Sequence, residues 1–84
     1  VGPVNAHERR FADRMTKLRK LRNLSQVELA TVCGVRRHVV VAIEAGRRGI
    51  RLGEAVTLCG ALGVDLAAMV ADTPMALSIS LPVD

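Results

Sequence analysis

At 84 residues the chain is long enough for one domain and too short for a second, so its core must be dense and simple. Half of the residues are apolar, which excludes a disordered chain; Phe11 is the only aromatic, which argues against modules that stack single-stranded bases on rings. Arg9 is the first and Arg51 the last of 12 basic residues, set against four acidic ones in residues 1–51, whereas residues 52–84 hold four acidic residues and no basic one; one part of the molecule attracts a polyanion and the other is kept away from it.

Residues 1–7 contain Gly, Pro and Asn and read as a flexible N-terminus. A helical period starts at Glu8. Phe11, Met15, Leu18 and Leu21 recur at spacings of four, three and three, which places them on one face. Arg9, Arg10, Arg14, Lys17, Lys20 and Arg22 cover the other faces. Asn23 tolerates the left-handed conformation that ends a helix. Ser25 with Glu28 three residues on is a capping-box pattern, and it opens a short second helix with Val27, Leu29, Ala30 and Cys33 as its apolar residues. Gly34 ends that helix and Val35 plugs the turn. A third helix is expected over 37–45, with Val40 and Ile43 inward and Gly46 closing it. The basic loop RRGIR follows. A fourth helix over 52–62 has Ala55, Val56, Leu58, Cys59 and Leu62 as its apolar side, and Asp65 caps a fifth over 66–70. In the tail the period changes to two: Met75, Leu77, Ile79 and Leu81 alternate with small or polar residues between Pro74 and Pro82, a strand signal. The expectation is an all-α, compact five-helix bundle over 8–72, with a tail or short strand over 73–84.

Cys33 and Cys59 have no CxxC spacing and no histidine partner, so they read as small core residues in a reducing cytoplasm rather than metal ligands. His7 and His38 lie in different segments. No nucleophile–His arrangement, phosphate-cradling glycine loop or carboxylate pair is apparent, so neither an enzyme nor a cofactor is expected. No apolar run approaches the ~20 residues of a membrane span, and no secretory leader is visible.

The stretch LRKLRNLSQVELATVCGVRRHVVVAIEAG, with Arg19, Leu24, Ser25, Gln26, Leu29, Ala30, Gly34, Val35, Val40, Ile43, Glu44 and Gly46 at typed positions, resembles the Cro/C1-type helix-turn-helix family. LCGALGVDL resembles that family's fourth helix and its run into the fifth. The resemblance covers about residues 9–71 and implies a lambda-repressor-like bundle that binds double-stranded DNA. It implies an internal ion pair between Arg19 and Glu44. It implies phosphate contacts at Gln26 and in the loop carrying Arg47, Arg48 and Arg51. It implies base readout by Arg36, Arg37 and His38, with Val41 and Ala42 one turn on. Three consecutive valines then divide the third helix: Val40 in the core, Val39 intermediate, Val41 outward against a thymine methyl. Arg36, Val41 and Ala42 depart from the family, which carries a capping residue and hydrogen-bonding side chains there. Specificity must therefore rest on few hydrogen bonds, aided by DNA shape.

The resemblance further implies a transcriptional repressor acting as a homodimer on a palindromic operator, with half-sites about 34 Å apart. Met75, Leu77, Ile79 and Leu81 are the candidate clasp between copies. The alternative is an antitoxin-type protein whose tail embraces a toxin partner while the same domain regulates its own synthesis.

Overall fold

The computed structural model describes residues 4–73. Five helices follow one another: α1 (Ala6–Leu21), α2 (Gln26–Cys33), α3 (Arg37–Glu44), α4 (Leu52–Leu62) and α5 (Leu66–Val70). No strand occurs among the described residues. The strand signal of the tail, with Met75, Leu77, Ile79 and Leu81, lies outside them.

Helix α1 starts two residues before the expected Glu8. The side chain of Asn5 accepts the Glu8 N–H at 2.9 Å, and the Glu8 carboxylate accepts the Asn5 N–H at 3.2 Å. This reciprocal cap satisfies two of the N–H groups that a helix start leaves unpaired, so Ala6 and His7 are helical rather than loose. The same device opens α2, where Ser25 and Glu28 exchange bonds of 3.0 and 2.7 Å. Asn23, at φ 57°, makes the left-handed step between the two helices.

The buried face of α1 consists of Phe11, Ala12, Met15, Leu18 and Arg19. Leu21 is not part of it and is 60% exposed. At about 100° per residue the buried residues span an arc of roughly 120°, and Leu21 falls roughly 60° beyond its edge. Val27 and Val56 leave the expected apolar faces for the same reason and are exposed. Against α1 pack Leu29 and Ala30 of α2, Val40 and Ile43 of α3, Leu58 and Leu62 of α4, and Met69 of α5, all buried.

The five-residue α5 is too short to pair its own last carbonyls, and two arginines of α1 do so instead. Arg14 donates to the carbonyls of Ala68 and Ala71 at 2.9 Å each and to that of Thr73 at 2.7 Å. Arg10 donates to the Val70 carbonyl at 3.0 Å and faces Asp72 at 3.4 Å. Cations that read as solvated surface therefore close the bundle and are turned away from any external anion.

Candidate nucleic-acid interface

Helices α2 and α3 form the corner that presents the candidate interface. Gly34 turns the chain at φ 70°, a conformation that costs a residue with a Cβ, and the Val35 N–H returns to the Ala30 carbonyl at 3.0 Å. Ala30 is buried where the two helices cross. On α3, Val40 and Ile43 are fully buried and fix which side faces out. Arg36, Arg37 and His38 are exposed together at its N-terminus. Arg36 occupies the cap position without a side-chain cap, so its guanidinium is left to point elsewhere. Val39 packs on the core from the edge, and Val41 and Ala42 are half-buried on the flank. The three valines are thus one core residue, one boundary residue and one residue with part of its surface available.

The far end of α3 is held by its last residue. Glu44, whose side chain is 6% exposed, accepts from Arg19 Nε at 2.7 Å, from Arg19 Nη2 at 3.0 Å and from Gln26 Nε2 at 3.0 Å. Arg19 Nη1 donates to the Leu24 carbonyl at 2.8 Å. One carboxylate thereby joins α1, the α1–α2 turn, the first residue of α2 and the end of α3. The hydrogen bond to Glu44 holds the Arg19 guanidinium above its ordinary pKa against the opposing effect of burial. Gln26, expected as a phosphate contact, has its side-chain nitrogen on Glu44 and stays half-exposed at the start of α2.

Two carboxylates that the sequence did not single out anchor the basic loop after α3. Glu8 Oε2 accepts the Ile50 N–H at 2.9 Å, and Gly49 lies so close to this carboxylate that a Cβ there would collide with it. The bonds from Ile50 and then Asn5 hold the Glu8 carboxyl below its ordinary pKa. Glu54 takes both terminal nitrogens of Arg48, at 3.0 and 3.2 Å, and the Arg51 N–H at 3.0 Å. Burial pushes the Glu54 carboxyl up, but the Arg48 guanidinium and the Arg51 N–H outweigh it and leave it below its ordinary value. Of the three loop cations expected at phosphates, the structure leaves Arg47 and Arg51 exposed and turns Arg48 onto Glu54. The reason is a bidentate carboxylate six residues on, which satisfies the guanidinium fork within the protein. Glu54 had a sequence signal as the acidic residue three places after Arg51, the cap position of α4. The Glu8–Ile50 contact, 42 residues apart, had none.

Among the described residues, the guanidinium groups with no hydrogen bond or ion pair to the protein are those of Arg22, Arg36, Arg37, Arg47 and Arg51; Arg22 stands at the end of α1, and the other four lie beside the exposed start of α3 or in the loop after it. This surface offers cations and a helix end to a polyanion. The same residues contain no group of three or more His, Cys, Asp or Glu able to hold a metal, and no helix long and apolar enough to cross a membrane.

A buried helical corner, an exposed helix behind it and unpaired cations at both ends define a small helix-turn-helix DNA-binding domain. A model of the helix-turn-helix family, HTH_3, matches residues 15–69. The chain belongs to this family of Cro/C1-type DNA-binding transcription regulators. Among solved structures it is similar to a hypothetical transcription factor, NHTF, from Neisseria, with 32% identity and a TM-score of 0.73 over 77% of this chain and 73% of that one. It is also similar to the restriction-modification controller protein C.AhdI from Aeromonas hydrophila, with 31% identity and a TM-score of 0.70 over 77% of this chain and 98% of that one. A comparison with curated protein sequences finds no match.

Proposed function

We propose that the protein is a transcriptional repressor that reads a palindromic operator as a homodimer. The observation that carries this reading is the exposed trio Arg36, Arg37 and His38 at the start of a helix whose inner side is fully buried. Arg37 is the residue for a bidentate bond to guanine O6 and N7, and His38 donates to a neighbouring base or phosphate. Val41 and Ala42 supply apolar contact to a thymine methyl. Arg47 and Arg51 grip phosphates on one side of α3, and the start of α2 at Gln26 does so on the other. Arg48 serves this surface indirectly, by holding the loop through Glu54. A second copy, clasped through Met75, Leu77, Ile79 and Leu81, brings a second α3 to the next turn of the duplex.

Selection from a random duplex pool near physiological salt tests the reading. The expected product is a two-fold symmetric site with half-sites about one turn apart. Recovery of no motif, with binding that falls steeply as salt rises, would reduce the interaction to phosphate attraction.

A further inference from the structure

An apolar groove of about 220 Å³ opens between the first half of α1, the start of α4 and α5. Phe11, Ile50, Leu52, Ala55, Leu66 and Val70 line it, together with His7 and Glu8. Phe11 is its buried floor, whereas Leu52 is 72% exposed and Val56, one turn further along α4, is 58% exposed. The two residues share one face of α4 and extend the apolar surface beyond the groove. An exposed apolar surface continuous with a groove marks a place that another segment covers. The charges beside it already have partners. Glu8 holds the N–H groups of Ile50 and Asn5, and Arg10 holds the Val70 carbonyl and faces Asp72, so an apolar cover strands neither charge.

The chain supplies a cover of matching chemistry in the segment that follows the described residues. Residues 74–83 carry no charge, and Met75, Leu77, Ile79 and Leu81 alternate with small or polar residues. In an extended segment these four share one face at intervals of about 7 Å, and the run from Met75 to Leu81 spans about 20 Å. The segment begins beyond Thr73, whose carbonyl Arg14 holds at 2.7 Å. Arg14 lies about two turns, or ~10 Å, past His7 along α1, so Thr73 is held away from the His7 and Glu8 end of the groove. Pro74 favours an extended backbone at Thr73, which carries the chain outward rather than back over its own domain. We propose that the groove seats the tail of a second copy, so that two chains exchange residues 75–81. This inference rests on the homodimer reading and names the surface that receives the clasp. Ile50 lines the groove and its N–H is bound to Glu8, so the seated tail also braces the loop that carries Arg47 and Arg51. Each copy then completes the phosphate-gripping loop of the other.

The test is sedimentation of the full chain carrying Leu52→Glu in the groove or Ile79→Glu in the tail, each alone and then mixed in equal amounts. Leu52 is exposed, so its replacement leaves the core intact, and circular dichroism melting checks that both variants stay folded. Each variant alone should raise the dimer dissociation constant at least about tenfold, the effect of losing one buried aliphatic side chain. The mixture should recover a dimer, because an exchanged pair keeps one intact tail in one intact groove. A mixture as dissociated as its components would mean that each tail seats on its own domain, and would overturn the proposal. An intact dimer with Ile79→Glu would assign the interface to the helices alone, and an intact dimer with Leu52→Glu would assign it to the tails alone; either overturns it. Val32→Glu makes the same change at an exposed valine of α2 outside the groove and should leave the dimer intact. Equal dissociation there would reduce the effect to added charge and overturn the assignment. If the unaltered chain sediments as a monomer, the homodimer reading itself fails, and this is known before any variant is made.

Discussion

Replacing Arg19 with Met tests the claim that Glu44 organises the corner. The side chains of Arg19 and Glu44 are 11% and 6% exposed, so neither charge is well hydrated. Removing the guanidinium deletes two bonds to Glu44 and one to the Leu24 carbonyl, and leaves the carboxylate with the neutral Gln26 amide as its only side-chain partner. Breaking one side of a buried pair costs about 3 kcal/mol, mostly because the other charge is stranded. For a domain of this size that corresponds to a thermal midpoint lower by about 12–24 °C. Circular dichroism melting reads it directly. The double variant Arg19→Met with Glu44→Leu removes both charges, and a buried pair replaced by apolar groups is often neutral in stability. The double variant should therefore recover most of the lost midpoint while still binding DNA poorly, since α3 has lost its tie to Gln26. A loss below about 1 kcal/mol in the single variant, the value for an exposed pair, would refute the reasoning. So would a double variant no more stable than the single one.

Glu8 gives a pH signature. Its carboxyl is held below the ordinary 4.5 by the bonds from Ile50 and Asn5, so its contribution to stability is present above that value and is lost as pH falls through the lower folded pKa. Urea midpoints should drop on acidification below about pH 4.5 in the unaltered protein, and less so in Glu8→Gln. Arg47→Ala and Arg51→Ala should each lower the salt slope of DNA binding by about one, whereas Arg48→Ala should leave the slope nearly unchanged and reduce stability by about 1–2 kcal/mol through the stranded Glu54. Equal slope changes for all three would place Arg48 on a phosphate. Removing residues 75–84 should leave a folded monomer with weaker operator binding, and an unchanged dimer mass in sedimentation would exclude the clasp.

Helix order, the corner and the core were legible because they depend on local signals: apolar spacing, Ser25 with Glu28, and glycines at helix ends. The capping pattern at Asn5 and Glu8 was equally local, and it was the composition of residues 1–7 that hid it. Leu21, Val27 and Val56 misled because apolar identity alone does not place a residue on the buried arc; a shift of one position moves it about 100° around the helix. What sequence could not supply was the pairing of charges. Arg10, Arg14, Arg19 and Arg48 look like Arg36, Arg37, Arg47 and Arg51 in a list of cations. They differ only in having a carbonyl row or a carboxylate brought to them by the fold, in the case of Arg10 and the Val70 carbonyl from 60 residues away in the chain.

That division of the arginines bears on how the protein discriminates. If every basic residue faced the duplex, nonspecific attraction would dominate and a reading helix with valines and alanine on its flank would add little. The structure instead withdraws Arg9, Arg10, Arg14, Arg19 and Arg48 into internal bonds, leaving Arg36, Arg37, Arg47 and Arg51 as the unpaired arginines around α3. With Val41 and Ala42 unable to hydrogen-bond a base, the proposed repressor draws its selectivity from the geometry of a few contacts rather than from their number. A helix that relies on Arg37 and His38 for hydrogen bonds tolerates little rotation, because a bidentate bond to guanine is lost with a small tilt. The three bonds converging on Glu44, and the Glu8 and Glu54 anchors of the following loop, constrain that tilt from one end. In a repressor that works as proposed, the sparse reading surface and the dense network behind it form one design: fewer bases are read by hydrogen bonds, and each depends more heavily on the orientation of α3.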